Sequence, residues 1–302
     1  MSVFGFFKKD KARAVSNGAP GNGDDAQEAL DRWQQVLALD PDNIDAKIHI
    51  ANVHSSKGDN AAASALFDEL EKAYPDSLVI RTAVARFLSN TNQVMESRAK
   101  WQAVFDDDSN NVEALVNIAN LDLSQERYQE ALATADRINT LFNQDFRCHL
   151  VRGRVHHNQQ NWEAAADAWR AVLEQKGAHY EAELHLCIAL NRMGSFEDVI
   201  TQLQLSMGNY PNAEALYALK RRTLTKMGKK KEALDLTTQA MERFQGSADW
   251  HYEHASLLYG LQRLEDAEIA CKAAMERFGD DVRLLTLYAR IGQMQLNRSK
   301  VA

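Results

Sequence analysis

The stretch LDPDNIDA, Leu39–Ala46, decides the fold because its proline recurs at a fixed interval. The chain of 302 residues contains four prolines. Pro75 lies 34 residues after Pro41, and Pro211 lies four such intervals after Pro75. The fourth proline, Pro20, lies outside this spacing in an N-terminal segment. The spacing indicates a repeat of 34 residues in which proline marks one structural point.

Residues that end helices or begin turns occupy the same point of the repeat where proline is absent. The residues at this point, with no insertion or deletion between them, are Pro41, Pro75, Ser109, Asn143, Gly177, Pro211, Gln245 and Gly279. Gln245 departs from the pattern, but Gly246 follows it directly. The point therefore predicts the end of a helix in each repeat.

Two columns of small residues accompany this point, as two closely crossing helices require. The column that precedes the point contains Ala29, Ala63, Ser97, Ala131, Ala165, Val199, Ala233 and Ala267. The column that follows the point contains Ala51, Ala85, Ala119, Gly153, Cys187, Arg221, Ala255 and Ala289. Between the two helices of a repeat, one position contains Gly58, Asn92, Gly194 and Gly228. Glycine and asparagine tolerate the left-handed conformation, so this position predicts a left-handed turn.

The pattern resembles the tetratricopeptide repeat, a helix–turn–helix unit of 34 residues. The segments GDNAAASALFDELEKAYPD, Gly58–Asp76, and GSFEDVITQLQLSMGNYPN, Gly194–Asn212, carry the resemblance well. The resemblance implies an all-α, right-handed superhelix (an α-solenoid) with seven full repeats, a leading B-type helix and a C-terminal capping helix. The predicted domains are an N-terminal disordered tail at 1–23, the superhelix at 24–298 and a short C-terminal tail at 299–302.

A second period, twice as long as the first, underlies the repeat. Related segments begin at Arg32, Lys100 and Ala168, and each contains a tryptophan in the second (B) helix of its repeat. The repeats between them lack this tryptophan and carry an aromatic residue at the end of that helix, which predicts two alternating packing types. Arg221 occupies a small-residue column, and Arg152 and Lys220 occupy an apolar one, so these three positions predict irregular packing in repeats four and six.

The resemblance implies a concave groove lined by the first (A) helices, in which an extended segment of a partner protein binds. Arginine recurs in every second repeat at the ninth position of the A helix, and asparagine lies between the first arginines. The predicted groove residues are Asn52, Arg86, Asn117, Asn120, Arg154, Arg222 and Arg290. A guanidinium binds carboxylates through its planar fork, and an amide satisfies both groups of a peptide backbone, so we expect an acidic partner segment. Two alternatives stay open: the arginines pair with glutamates of neighbouring helices, or they reflect a duplication of repeat pairs.

A basic stretch, KRRTLTKMGKKKEAL, begins at Lys220. Its members in the second predicted site are Lys220, Arg221, Lys226, Lys229, Lys230 and Lys231. One interpretation is a solvated turn, because lysines near a helix C-terminus are favoured by the helix dipole. The alternative is a docking patch for an acidic partner, an anionic lipid or nucleic acid. The acidic balance of the chain, with a net charge of −7, disfavours nucleic acid as that partner.

The N-terminal tail places Phe4, Phe6 and Phe7 beside several lysines. These phenylalanines are predicted to dock on a membrane surface, on a partner or on the chain itself. A segment this short would bind a membrane weakly and reversibly. The chain lacks the order of residues typical of a secretory signal, so we expect a cytoplasmic protein, with a peripheral position at the inner membrane surface as the alternative.

Motifs for catalysis are absent from the sequence: it contains no GxSxG, phosphate loop, GxGxxG or HExxH. His251 and His254 lie one helical turn apart, but two histidines without a third ligand do not hold a metal firmly. We therefore expect no enzymatic activity, no cofactor and no metal. The two function hypotheses are a protein-interaction scaffold and an accessory subunit that presents a substrate to a separately encoded enzyme.

Overall fold

The computed structural model describes residues 26–143, 145–279 and 281–299, and every regular element in these ranges is an α-helix. The helices are α1 Ala26–Leu39, α2 Ile44–Ser56, α3 Asn60–Ala73, α4 Leu78–Asn90, α5 Val94–Asp107, α6 Val112–Ser124, α7 Tyr128–Leu141, α8 Arg147–Asn158, α9 Trp162–Lys176, α10 Tyr180–Met193, α11 Phe196–Asn209, α12 Glu214–Lys226, α13 Lys230–Arg243, α14 Ala248–Gly260, α15 Leu264–Phe278 and α16 Val282–Ser299. Even-numbered helices occupy the A position of the repeat and odd-numbered helices the B position. The tail residues Phe4, Phe6 and Phe7 lie outside the described residues.

Polar residues just after the repeated point begin the A helices. The side chains of Asn43, Ser77 and Asn111 accept hydrogen bonds from backbone N–H groups in the first turns of α2, α4 and α6. A side-chain acceptor at this position satisfies an N–H group that has no partner within the helix. The interval of the repeat therefore fixes where these helices begin.

The turn between the two helices of each repeat has the predicted left-handed residue. Gly58, Gly194 and Gly228 have φ values of 82°, 82° and 77°, and Asn92 has 61°. Three residues at the same phase that the sequence analysis did not single out, Glu126, Gln160 and Gln262, also have positive φ. Their side chains carry the steric cost that glycine avoids at this conformation.

The small-residue columns are buried as the pattern predicts. Ala63, Ala131 and Ala165 in the B helices and Ala85 and Ala119 in the A helices are inaccessible to solvent. A small side chain at these positions lets the two helices of a repeat approach closely. The burial of these columns establishes the register of the helices.

Gly153 of α8 is the position where this packing is tightest. A Cβ atom placed there would lie 2.7 Å from Cε2 of Trp169, whose indole is fully buried in α9. No side chain fits at that distance without displacing the indole. The position of the Trp169 indole therefore requires glycine at residue 153, whereas Ala85 occupies the equivalent position opposite Trp101.

The chain divides into two compact units, Met1–Val151 and Arg152–Ala302, with the division inside α8. In unit 1, each helix from α1 to α6 packs on the next one along the chain, and α2 also packs on α4. In unit 2, each helix from α9 to α15 packs on the next one along the chain. Two A helices also contact the following A helix: α10 contacts α12, and α14 contacts α16. Helices that contact their neighbours in sequence produce the local contact pattern of a repeat protein.

Arg221 shows how one irregular position is accommodated. Its side chain is buried among small-residue positions of unit 2, where Nη2 donates a 2.8 Å hydrogen bond to Oε1 of Glu253. Burial is the main reason that the pKa of Arg221 is lowered, and the charge of Glu253 opposes this effect. The ion pair allows a charged residue to take the place of alanine.

Candidate functional site

The arginine row, which we define as Arg86, Arg154, Arg222 and Arg290, is divided between the two units. In unit 1, Nη2 of Arg86 donates a 2.6 Å hydrogen bond to Oε1 of Glu113, the second residue of α6. Both side chains are about half exposed, at 56% and 50%. An ion pair this exposed exchanges readily with solvent and contributes little to stability. In the structure, Glu113 nevertheless engages the guanidinium of Arg86.

Arg154 in unit 2 is held more firmly. Its Nε and Nη2 atoms donate hydrogen bonds of 2.6 and 2.7 Å to the two carboxylate oxygens of Glu181 in α10. Burial acts to raise the pKa of Glu181, but the hydrogen bond and charge of Arg154 outweigh it, so the pKa is lowered. A two-point contact of this kind leaves the arginine with little capacity to bind a second carboxylate.

Arg222 differs from these two arginines. It is exposed on α12 and makes no ion pair with any residue that the structure describes. The equivalent acidic residue of the next A helix, Asp249, instead contacts Arg283 of α16 at 2.8 Å. Arg290 of α16 is also exposed and unpaired within the described ranges. Over those ranges, the row therefore contains two engaged arginines and two available ones.

The acidic partners form a column that sequence reasoning missed. Residues at the second position of alternate A helices are Asp45, Glu113, Glu181 and Asp249, again with the two-repeat period. Each of the two pairs that the structure contains joins an arginine to the acidic residue of the next A helix. The matching period of the acidic column was a signal that could have predicted these pairs.

The asparagines predicted to bind a partner backbone lie in unit 1. Asn52 is exposed on α2. Asn117 is half-buried, and its Nδ2 donates a 3.0 Å hydrogen bond to the backbone oxygen of Glu113. Asn120 is half-buried on the same helix. Of these three, Asn52 offers the most accessible amide.

A cleft of about 480 Å³ surrounds Arg222 in unit 2, between α12, α14 and α16. Arg221, Arg283 and Trp250 also line it. Nε1 of Trp250 donates a 2.7 Å hydrogen bond to Oε1 of Glu214, which fixes the indole against the cleft. Two of the three arginines in the cleft are paired with acidic side chains, so Arg222 is the arginine of the cleft whose guanidinium is available to a ligand. The arrangement can bind a carboxylate at Arg222.

Aromatic stacking in unit 2 organises a second part of the A-helix surface. The ring of His185 stacks on Trp169 at a centroid distance of 5.3 Å, and His157 meets His185 edge-on at 4.6 Å. Burial is the main cause that lowers the pKa of both histidines, so both rings are neutral at neutral pH. Nδ1 of each ring is buried without a hydrogen-bond partner. In unit 1, His49 stacks on Trp33 in the equivalent arrangement at 4.2 Å.

Residues 21–87 match the family model of the tetratricopeptide repeat. Residues 21–87 therefore contain tetratricopeptide-repeat sequence, over about a fifth of the chain. This match confirms the resemblance seen in the sequence. No curated protein sequence matches the chain significantly.

Two solved structures show the same fold. A chain of the APC/C hetero-tetramer Cut9–Hcn1 aligns with a TM-score of 0.52 and 15% identity, over 88% of this chain and 52% of that chain. The chain therefore spans about half the length of that relative. YrrB, described as a TPR protein with an unusual peptide-binding site, aligns with a TM-score of 0.50 and 19% identity, over 62% of this chain and 96% of that chain. Together with the helices, these likenesses confirm the all-α solenoid class.

The basic stretch in unit 2 is not a single free patch. Nζ of Lys226 donates a 2.7 Å hydrogen bond to Asn191, Nζ of Lys230 donates one of 3.2 Å to the backbone oxygen of Gly260, and Lys229 lies 3.9 Å from Glu197. Lys220 is half-buried and Lys231 is exposed. Several of these ammonium groups therefore join neighbouring repeats.

The residues with metal-binding or nucleophilic chemistry are dispersed. No group of three or more His, Cys, Asp or Glu side chains able to hold a metal occurs in the described part of the chain. His254 contacts Oγ1 of Thr237 at 3.0 Å, and burial raises the pKa of the Cys187 thiol to about 12. Across the described ranges, no helix is both long and apolar enough to cross a membrane.

Proposed function

We propose that this chain is a non-catalytic scaffold that binds an extended, acidic segment of a partner protein on the A-helix surface of unit 2. Arg222 is the principal contact, because it lines the cleft and has no acidic partner among the described residues. Arg221 and Arg283 are held by Glu253 and Asp249 and shape the cleft rather than bind the ligand. This difference in pairing is the observation that supports the proposal.

The physical basis is a charge-assisted hydrogen bond to the one arginine of the cleft without an acidic partner in the described part of the chain. A hydrogen bond to a charged group contributes about 1.5–3 kcal/mol. The indole of Trp250 is almost completely buried and hydrogen-bonded to Glu214, so it supports the cleft and does not contact the ligand. The feature of the partner segment that the cleft recognises is therefore its carboxylate.

The experiment uses a displayed library of random peptides selected on the full chain, followed by calorimetric titration of the best binder. We expect selected peptides to be enriched in Asp and Glu, and Arg222→Glu to weaken binding at least about tenfold. Arg86→Glu is the matched control, because it reverses the same charge at the equivalent position of unit 1, where Glu113 already engages the arginine. Equal binding by wild type and Arg222→Glu would reject the proposal.

Further contacts in the predicted set extend the proposal to unit 1. There, Asn52 and Asn120 are proposed to bind the backbone of a partner segment independently of the cleft in unit 2. Presentation of a substrate to a separate enzyme, and weak membrane contact through the N-terminal phenylalanines, stay predictions without a supporting observation in the described residues.

A further inference from the structure

The last helix, α16, exposes a continuous apolar stripe. Val282, Leu285 and Leu296 are 77%, 43% and 56% exposed, and Ala289 between them is also exposed. These residues follow the spacing of one helix face. Apolar side chains exposed along one helix face are typical of a surface that another structural element covers.

Ala289, with Leu285 one turn before it, lies on the face that in other A helices contacts the following B helix, whereas Leu296 has the phase of the turn residue Gly58. Ala289 belongs to the column of Ala51, Ala85 and Ala119, and these three are buried against the B helix of their own repeat. No helix follows α16 within the described residues. The stripe is therefore one half of an A–B helix interface.

The complementary half lies at the other end of the described chain. Helix α1 is of the B type, and no helix precedes it in the described ranges. Its column residue Ala29 is partly exposed, whereas Ala63, Ala131 and Ala165 in the same column are completely buried. Helix α1 thus retains an incompletely covered face for an A helix.

The sequence period places the two halves in register. Ala289 of α16 has the same phase of the repeat as Ala51 of α2. Ala29 of α1 has the same phase as Ala63 of α3, the B helix that packs on α2. When α1 of a second copy takes the place of a B helix after α16, Ala29 therefore faces Ala289 as Ala63 faces Ala51. A second copy continues the repeat without a change of phase.

The ion pairs of the arginine row lead to the same register. Arg86 and Arg154 each pair with the acidic residue at the second position of the next A helix. For Arg290 the next A helix is α2 of the second copy, and the second residue of α2 is Asp45. Arg290 and Asp45 are both exposed, and neither forms an ion pair within the described residues.

Net charge also favours the contact. Helix α16 contains three arginines and no acidic residue. Helix α1 contains two acidic residues and one arginine. Most of these charges have partners within the chain, so the attraction between Arg290 and Asp45 is the charge contact that favours this orientation.

We propose that copies of this chain associate head to tail, with α16 of one copy packed on α1 and α2 of the next and Arg290 paired with Asp45 across the joint. The interface is heterologous, so repeated association forms an open series or a closed ring. The proposal does not depend on the partner binding proposed for Arg222, because Arg290 and Asp45 do not line that cleft.

The first test is sedimentation velocity of the full chain over a range of concentrations. We expect association that grows with concentration in wild type and is lost in Ala289→Trp, because the bulky side chain prevents the close approach of α1. Ala133→Trp is the control, since it makes the same change at an exposed alanine of α7. Circular dichroism of the monomers checks that both variants fold. A wild type that sediments as a monomer up to its solubility limit, or association unaffected by Ala289→Trp, would overturn the proposal.

The second test is a charge exchange across the joint. Arg290→Glu and Asp45→Arg should each weaken association at least about fivefold, because each places like charges together. Mixing the two variants should restore association, because the glutamate introduced in one chain then meets the arginine introduced in the other. Association of two α16 helices with each other would be unaffected by Asp45→Arg, so full association of that variant, or failure of the mixture to assemble, contradicts the head-to-tail arrangement.

Discussion

Replacing Gly153 by alanine should destabilise the chain, although alanine is the better helix former. In the middle of a helix the substitution gains about 1 kcal/mol from backbone propensity. Against this, the new Cβ would lie 2.7, 2.8 and 2.9 Å from three ring atoms of Trp169. Ordinary carbon contacts are about 3.5–4.0 Å, so either the indole or the backbone must move.

The indole has little room to move, because Trp169 is completely buried. Overpacking of a core typically costs about 1–3 kcal/mol, and the rigid ring favours the upper half of that range. The net loss after the propensity gain is then about 1–2 kcal/mol. Gly208→Ala is the control, because a Cβ at that helical glycine meets no atom within 4 Å.

The assay is urea unfolding followed by far-ultraviolet circular dichroism. Gly153→Ala should lower the midpoint and Gly208→Ala should leave it unchanged or raise it. A double-mutant cycle with Trp169→Phe isolates the contact, since the smaller ring should remove most of the cost of Gly153→Ala. The buried Nε1 of Trp169 has no hydrogen-bond partner among the described residues, so its loss does not complicate the cycle. A rise in midpoint for Gly153→Ala would refute the close packing of α8 on α9.

Two further predictions concern the turns and the histidines. Gln160→Gly should raise the free energy of unfolding by about 0.5–1 kcal/mol, because glycine adopts positive φ without strain, whereas Gly58→Ala at the same phase should lower it. Urea titration measures both changes. A lower free energy of unfolding for Gln160→Gly would contradict the assigned turn. The pKa values of His157 and His185 are lowered by burial, so the unfolded chain binds protons more readily and stability should fall as pH decreases below about 6.5. His157→Gln should reduce this loss between about pH 7 and 5, as measured by thermal unfolding across that range, and an unchanged pH dependence would exclude His157 as a contributor.

The repeat period was sufficient to predict the helices, because burial follows the same columns as the repeat. Ala63 and Ala131 are buried for the reason that the pattern suggests: two helix backbones approach closely at a small side chain. The left-handed turn at Gly58 was likewise predictable from residue type. The conformation of Gln160 was not, because its positive φ is imposed by its neighbours and not by its own conformational preference.

The candidate site was harder to predict from the sequence than the fold. The arginine column was correctly placed on A helices, but which arginines are engaged depends on side-chain geometry in the adjacent repeat. Glu113 and Glu181 each lie within hydrogen-bond distance of an arginine, whereas Asp249 contacts Arg283 and leaves Arg222 unpaired among the described residues. A search for acidic residues with the period of the arginines would have predicted the first two pairs, and the exception at Asp249 required the structure.

The rate at which phenylglyoxal modifies each arginine, followed by peptide mass spectrometry, tests most directly whether Arg222 is the available member of the row. At low protein concentration we expect Arg222 to react faster than Arg154, whose guanidinium is held by both oxygens of Glu181. A bound acidic peptide should slow the reaction of Arg222 and leave that of Arg154 unchanged. Equal rates for the two arginines, or protection of Arg154 alone by the peptide, would contradict the assignment of Arg222 as the principal contact.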